Sequence, residues 1–294
     1  MPIKTDGFCS PLRVGLHSKT GTCLTVEELR SVAALYNKKH PQDAIQREAF
    51  KDHKQLVKEL DKRFKSKGCD KGADHCWIKQ DEVKELYHAL QENYRPPTPF
   101  EWLKKARTWL NTFDILNVMK QYQTNGFKFL GVFPVDFNQK KNDTCVVRDM
   151  CSFNAIELLN NGIKHFGVVF NLDRHDQPGS HWVATYCNMD PSSKKYGICY
   201  YDSGGSKPPN YIKEFMKDVK DQVSAHHKTD KFLARFNNTR HQFKNTECGI
   251  FSMLFLILCI ENLNETYRIT RHKIPKHKKD SLVHQFRKKL YRPV

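Results

Sequence analysis

Apolar residues recur at helical spacing through the first third of the chain. Between residues 24 and 39 one helix face carries the apolar positions Leu24, Leu29, Val32, Ala33 and Tyr36. Thr25 and Glu28 have the spacing of a capping box at the start of this helix. A second helix is predicted by Leu56, Leu60 and Phe64, and it ends before Gly68. A third helix is predicted over residues 79–94.

Three prolines in residues 94–100 interrupt the helical pattern, and we place a domain boundary there. Residues 1–97 are therefore predicted to form a helical arm domain. Beyond the boundary, strand-like runs occupy residues 127–137, 165–172, 181–189, 196–203 and 232–238. They alternate with predicted helices at 108–122, 210–227 and 249–262, and a short basic helix is expected near the C-terminus. The pattern predicts an α+β domain over residues 98–294.

The chain has 294 residues and a formal net charge of +17, which favours polyanionic partners. No zinc finger or aromatic RNA-binding motif is present, so any DNA contact should be directed at the backbone and independent of base sequence. The longest apolar run, from Ile250 to Ile260, is too short for a membrane span, and no membrane partner is expected. The N-terminus has no apolar signal-peptide segment, so secretion by that route is not expected.

The ten cysteines are spread along the chain, and we interpret most of them as reduced thiols. Cys69, His75 and Cys76 invite a zinc hypothesis, but their spacing fits no standard finger, and buried or incidental thiols are the alternative. Cys145 and Cys151 could form a disulfide or simply pack. We therefore predict neither a metal nor any other cofactor.

One short segment, residues 241–263, combines Gln242, Cys248 and a long apolar helix. Cys248 falls at the start of that helix, where unpaired backbone N–H groups and the helix dipole favour an anion and hence the thiolate. A thiolate is the nucleophilic form of cysteine, and it needs a nearby base. Taken alone, however, a cysteine at a helix start is commonly a small buried hydrophobe.

His181 opens one predicted strand, and Asp202 ends the next, across a short turn. If the two strands pair as a hairpin, these two residues lie side by side, and the carboxylate can orient the imidazole. Gln242 supplies an amide that, with the backbone N–H of Cys248, could stabilise an oxyanion. Each residue has an ordinary structural interpretation: an edge histidine, a turn aspartate and a solvent-facing glutamine.

Taken together, the segments HW, YYDS and Q-x5-C-G resemble the SUMO-deconjugating cysteine proteases and their viral relatives. TWLNTFDILNVM resembles that family's Trp-Leu-Asn-Asp helix, with Thr112 where an Asp is common. The predicted helical arm is similar to that of the polyprotein-processing proteases of large cytoplasmic DNA viruses, of the African swine fever virus type. The resemblance implies a papain-like core of the SUMO-protease type, with a mixed central sheet flanked by helices.

The resemblance also implies a catalytic set of His181, Asp202, Cys248 and Gln242, and cleavage after Gly-Gly. By motif position, Trp109 and Trp182 would roof a tunnel that only glycines can thread, since flat indoles over an extended backbone leave no room for a Cβ. A core aromatic on a helix is the alternative interpretation of Trp109.

The resemblance leaves the substrate open. A viral protease that processes core polyproteins during virion maturation, in the virion and the host cytoplasm, is the first hypothesis. A protease for a SUMO- or ubiquitin-like modifier is the second. A catalytically silent basic protein that binds nucleic acid or capsid is a third hypothesis, from another class. The arm could recognise substrate or the assembling core, or it could stabilise the catalytic domain.

Overall fold

The computed structural model describes residues 8–105, 108–124, 126–261 and 285–292. The chain divides into two compact units, Met1–Thr98 with Lys288–Val294 and Pro99–Arg287. This division differs from the predicted one at the C-terminus, because residues 288–294 join the first unit rather than the catalytic domain. Backbone hydrogen bonds hold Arg292 there: its N–H donates to Pro96 O at 2.9 Å, and its carbonyl accepts from Thr98 N at 2.9 Å.

The first unit is helical, and α1 to α5 span Val14–Thr20, Val26–Lys39, His53–Lys65, Asp74–Trp77 and Tyr87–Leu90. The predicted capping box at α2 is confirmed: Glu28 N donates to the Thr25 hydroxyl at 3.2 Å, and Thr25 N donates to the Glu28 carboxylate at 2.7 Å. The predicted apolar faces of α2 and α3 are buried in one core. The third predicted helix is instead broken into two 3-10 turns, Asp81–Leu86 and Gln91–Asn93, on either side of α5.

Disulfides join Cys9 to Cys23 and Cys69 to Cys76 in the first unit, and Cys145 to Cys151 in the second. Our expectation of mostly reduced thiols was therefore wrong for six of the ten cysteines. The sequence could not exclude these pairs, because pairing depends on Cα positions that the fold sets. The bond between Cys69 and Cys76 also removes the two thiolates on which the zinc hypothesis depended.

The second unit contains α6 to α11, which span Phe100–Lys104, Thr112–Met119, Arg148–Cys151, Ala155–Asn160, Asn210–His227 and Cys248–Glu261. Its strands β1 to β7 span Phe127–Pro134, Lys140–Lys141, Thr144–Cys145, His165–Asn171, Trp182–Asn188, Gly197–Tyr201 and Leu233–Phe236. Near the C-terminus, residues 285–290 are helical, and the rest of the basic helix predicted there lies outside the described residues. None of the helices within the described ranges is long and apolar enough to cross a bilayer.

Five strands form one mixed sheet in the order β1-β4-β5-β6-β7. β4, β5 and β6 are antiparallel neighbours, whereas β1 and β7 run parallel to β4 and β6 at the two ends of the sheet. The predicted hairpin between β5 and β6 is thus confirmed, with Ala184 opposite Tyr201. The mixed sheet agrees with the predicted α+β class and SUMO-protease type of core.

Helices cover both faces of this sheet, which is why its central strands are apolar at nearly every position. One face packs against α9 and α10 through a cluster that includes Phe166, Tyr200 and Phe215. On the other face lies α11, where Phe255 stacks on Tyr201 with a ring separation of 4.7 Å. Because α11 is buried over nearly its whole length, the fold holds the first residue of this helix, Cys248, in a fixed position beneath β5.

The helix predicted over residues 108–122 begins later than expected, at Thr112. Asn111 caps it, accepting from Asp114 N at 2.9 Å, while the Asp114 carboxylate accepts from Asn111 N at 2.9 Å. A cap of this kind needs extended backbone angles, so the residues before it leave the helix. Trp109 therefore lies in the segment that precedes α7 rather than on a helix face.

Candidate active site

Cys248 is the first residue of α11, and its side chain is 2% exposed. The unpaired N–H groups of a helix start make this end of α11 electropositive, which favours a thiolate there. Its partner lies on a different element: the side chain of Cys248 makes a hydrogen bond with the imidazole of His181. The sequence placed both residues at the ends of elements, and the fold brings those ends together.

His181 directly precedes β5, and Asp202 directly follows β6, as the hairpin predicted. The imidazole Nε2 lies 2.6 Å from Asp202 Oδ1. Since Nε2 faces the carboxylate, Nδ1 is the ring nitrogen left for the thiol of Cys248. The order thiol, imidazole, carboxylate is the arrangement in which a base is oriented by a third group.

Several backbone donors hold the carboxylate of Asp202 in place. Gly204 N donates to Oδ1 at 2.7 Å, and Ser206 N donates to Oδ2 at 2.9 Å. Burial by itself would raise the pKa of Asp202, but the hydrogen bond from His181 and these backbone donors lower it overall. The carboxylate therefore remains charged beside the imidazole at neutral pH.

The pKa of His181 reflects the same balance. Burial alone would lower it, but hydrogen bonds to Asp202 and Cys248 and the negative charge of both groups raise the pKa to about 9. At neutral pH the imidazole is thus protonated, and its positive charge lies beside the sulfur of Cys248.

Gln242 is 7% exposed and lies in the segment that leads to Cys248. Its side-chain oxygen accepts from the Ser203 hydroxyl at 2.7 Å, and its side-chain nitrogen donates to the Lys244 carbonyl. These bonds fix the orientation of the amide. One of its two N–H bonds is used by Lys244, and the other makes no hydrogen bond with any residue that the structure describes. The alternative interpretation of Gln242 as a solvent-facing glutamine is therefore wrong.

Trp109 and Trp182 line the same groove, which has a volume of about 590 Å³. Trp182 is 7% exposed and donates from its indole N–H to the Leu110 carbonyl at 3.0 Å, whereas Trp109 is 43% exposed. The exposure of Trp109 contradicts its alternative interpretation as a core aromatic. Trp182 follows His181 in the chain, and a Cβ at Gly249, the residue after Cys248, would lie 3.3 Å from Trp182 Cδ1. Trp182 thus connects this groove to the residues that flank the thiol.

The sequence did not single out Asn237, Ser203 or Gly249. Asn237 accepts from Asp202 N at 2.7 Å and donates to Asp202 O at 2.7 Å, so it positions the backbone of the orienting carboxylate. A Cβ at Gly249 would lie 3.1 Å from Leu110 Cδ1 and 3.3 Å from Trp182 Cδ1. The only available signal was the position of each residue beside a motif, since side-chain pairing across distant segments leaves no local pattern.

Among the described residues, no group of three or more His, Cys, Asp and Glu side chains could hold a metal ion. A buried thiol beside an oriented imidazole, at the start of a helix under a mixed sheet, defines the class of papain-like cysteine proteases. The chemistry of that class is nucleophilic attack on a carbonyl carbon.

Comparison with known proteins supports the same class. Residues 163–292 match the model of the Ulp1 protease family, C-terminal catalytic domain. A thiol protease of Acanthamoeba polyphaga mimivirus is 29% identical over 270 residues, covering 85% of this chain and 83% of the relative. A cysteine protease of African swine fever virus is 27% identical over 259 residues, covering 81% of this chain and 90% of the relative.

The fold is also similar to a crystal structure of the African swine fever virus protease. The TM-score is 0.61 at 22% identity, and the match covers 82% of this chain and 91% of that chain. The chain thus contains, over residues 163–292, a segment that matches the catalytic domain of the Ulp1 protease family. It is a viral cysteine protease of the SUMO-protease-like type, which makes the hypothesis of a catalytically silent binding protein wrong.

Proposed function

We propose that the protein is an endopeptidase that cleaves after Gly-Gly in viral core polyproteins during virion maturation. The observation that carries this proposal is the groove lined by Trp109 and Trp182, of which Trp182 directly follows His181 in the chain and lies against Gly249, the residue after Cys248. Indole rings next to an extended backbone exclude a Cβ, so glycines are favoured on the acyl side of the cut. One African swine fever virus relative is named only as a cysteine protease, which agrees with a viral protease and does not specify a substrate.

We propose that the thiolate of Cys248 attacks the glycine carbonyl carbon, and the carbonyl electrons move to oxygen. When the tetrahedral intermediate collapses, the C–N bond breaks and the imidazolium of His181 gives its proton to the leaving amine. Neutral His181 then removes a proton from water, whose oxygen attacks the thioester. The C–S bond breaks and releases the thiolate, and the glycine carboxylic acid leaves and loses its proton to solvent. The proton taken from water leaves the imidazole of His181 in its charged form beside the thiolate.

In this mechanism two donors stabilise the oxyanion. One is the remaining side-chain N–H of Gln242, whose amide is fixed by Ser203 and Lys244. The other is the backbone N–H of Cys248 at the start of α11, where the helix dipole adds to the effect. Donors that are already oriented need no rearrangement as negative charge develops on the oxygen.

A modifier protease is the second candidate, because related African swine fever virus proteins carry the name SUMO-1 cysteine protease. The chemistry would be the same, and only the folded part of the substrate would differ. For the polyprotein hypothesis we propose the virion and the cytoplasmic site of virus assembly as the location. The net charge of +17 further supports non-specific association with DNA. Binding that does not weaken as salt rises would contradict this association.

The test is hydrolysis of short peptides that differ only in the two residues before the cut, with wild type and Cys248→Ala compared. We expect cleavage after Gly-Gly, loss of cleavage after Ala-Gly or Gly-Ala, and no turnover by Cys248→Ala. Equal rates for all peptides would contradict the tunnel. A recombinant core polyprotein and a SUMO conjugate, compared at equal concentration, then separate the two substrate classes by kcat/KM.

A further inference from the structure

A second groove, of about 890 Å³, lies between α10 and β7 at one end of the sheet. None of the residues that line it lines the groove beside Cys248. We define it as the basic groove by the residues Lys207, Lys213, Lys217, Lys220, Arg235 and Phe236. Its position and composition are not explained by the proteolytic site.

The basic groove is strongly cationic. Five of its lining residues are lysine or arginine, and Glu214 is its one carboxylate. Lys217 pairs with Asp221 at 2.8 Å, but Lys213 and Lys220 form no ion pair with a residue that the structure describes. Lysines that lie on one face of a helix and have no ion-pair partner repel each other. An anionic occupant would relieve that repulsion.

The other wall of the groove is the edge of a sheet. β7 pairs with β6 on one side, and within the described residues no strand lies along its other side. Leu233 and Phe236 on β7 are each 42% exposed. A terminal strand presents backbone donors and acceptors that an extended peptide can use, and half-exposed apolar side chains on that strand add contact area.

We propose that the basic groove docks an extended acidic segment of a partner protein. The segment lies along β7 as a sixth strand, its carboxylates face the lysines of α10, and its apolar residues contact Phe236. This site goes beyond the proposed protease function, since it needs neither the thiol nor cleavage. It would hold a partner on the enzyme while the groove beside Cys248 remains free.

The charge of the groove excludes the most basic segment of this chain as its occupant. Residues 268–279 contain six lysines and arginines and no aspartate or glutamate. A nucleic acid backbone would satisfy the lysines, but it would leave the strand edge and the apolar residues of β7 unused. A peptide uses all three features, which is why the structure favours an acidic polypeptide.

The probe is a fluorescein-labelled peptide of alternating Glu and Val, about twelve residues long, and binding is followed by anisotropy. The protein is full-length Cys248→Ala, so that cleavage plays no part. We expect Lys213→Glu with Lys220→Glu to weaken binding by about tenfold or more, because two attractive pairs become repulsive. Lys213→Gln with Lys220→Gln should give a smaller loss in the same direction.

The matched control is Lys128→Glu with Lys194→Glu, which makes the same charge change at exposed sites on β1 and on the turn between β5 and β6. Binding by this control should fall by less than about twofold. An equal loss in the control would overturn the site, because binding would then follow net charge alone. The same substitutions made in the active enzyme, with Cys248 intact, should leave cleavage of a short peptide unchanged. Unchanged cleavage shows that the variants fold.

Two further probes test the nature of the occupant. A peptide N-methylated at alternate residues cannot pair with a strand edge, so we expect it to bind at least about tenfold more weakly. Equal binding by the methylated peptide would overturn strand addition. A twelve-nucleotide single strand that binds more tightly than the peptide, and loses affinity in the Lys213 and Lys220 variant, would assign the groove to nucleic acid instead.

Discussion

Two histidine–aspartate pairs lie in the second unit of this protein. His181 Nε2 is 2.6 Å from Asp202, and His175 Nδ1 is 2.7 Å from Asp136. By distance the two pairs are nearly equivalent, and their histidines are six residues apart in the sequence. Only His181 has a thiol on its other side, namely that of Cys248.

The carboxylates of the two pairs hold different parts of the structure in place. Asp136 is fully buried, and it accepts from both the backbone N–H and the ring of His175, with Arg174 Nε at 3.5 Å. This pair fixes the loop between β4 and β5, whose residues line one side of the groove. A close imidazole–carboxylate pair is thus no mark of catalysis by itself, and the third group, a nucleophile or a loop backbone, decides its role.

The largest expected difference is in the rate of cleavage. His181→Ala should lower kcat for a Gly-Gly peptide by about a thousandfold or more, because the general acid and the ion-pair partner of the thiolate are both lost. His175→Ala should change kcat by less than about fivefold, with most of its effect in KM. The test is to measure kcat and KM of the two variants by steady-state kinetics. A similar loss of kcat in both would mean that His175 also acts on the reacting atoms.

A smaller difference is expected when each carboxylate becomes an amide. Asp136→Asn should destabilise the fold by about 1–3 kcal/mol, because a fully buried group loses its charged hydrogen bonds. Asp202→Asn should lower kcat by about ten- to a hundredfold, since an amide can still orient the ring but cannot support its charge. Urea unfolding and kcat should be measured on both variants. The contrast is contradicted if Asp136→Asn mainly lowers kcat and Asp202→Asn mainly lowers stability.

The smallest and most specific effect is in the pH dependence. Because the pKa of His181 is raised to about 9, the imidazolium persists through neutral pH, and kcat/KM should fall as pH rises through about 9. The same raised pKa stabilises the fold fully below the ordinary value of 6.5, and this contribution is lost as pH rises through about 9. In Asp202→Asn the alkaline limb of kcat/KM should move to lower pH. An unchanged limb would exclude His181 as the titrating group.

The sequence was sufficient for the relation of His181, Asp202 and Cys248, because strand ends and a helix start are visible in the apolar pattern. It was less successful where a local cap or a distant contact decides the structure. Asn111 caps α7 and makes the helix begin after Trp109, although the apolar periodicity extends back to Trp109. The pairing of Arg292 with the backbone near Pro96 spans almost two hundred residues, so no local pattern could reveal it.

The amide of Gln242 shows the same limit on prediction from sequence. Its position before the nucleophile was readable, but its hydrogen bonds to Ser203 and Lys244 were not, because they join separate loops. The disulfides were not predicted for a related reason, since spacing in sequence does not give the Cα separation that a disulfide needs. The buried pair of Asp136 and His175 was likewise hidden, because its members are 39 positions apart in the sequence.

Ser203 joins two parts of the site that act at different moments of a turnover. It follows Asp202 in the chain, its carbonyl accepts from Gln242 N at 2.9 Å, and its hydroxyl holds the Gln242 side chain. A shift of this one residue would disturb the orientation of the base and the oxyanion donor together. In a mutational scan, substitutions at position 203 should therefore change the rates of acylation and deacylation together. No substitution there should change one of these rates alone.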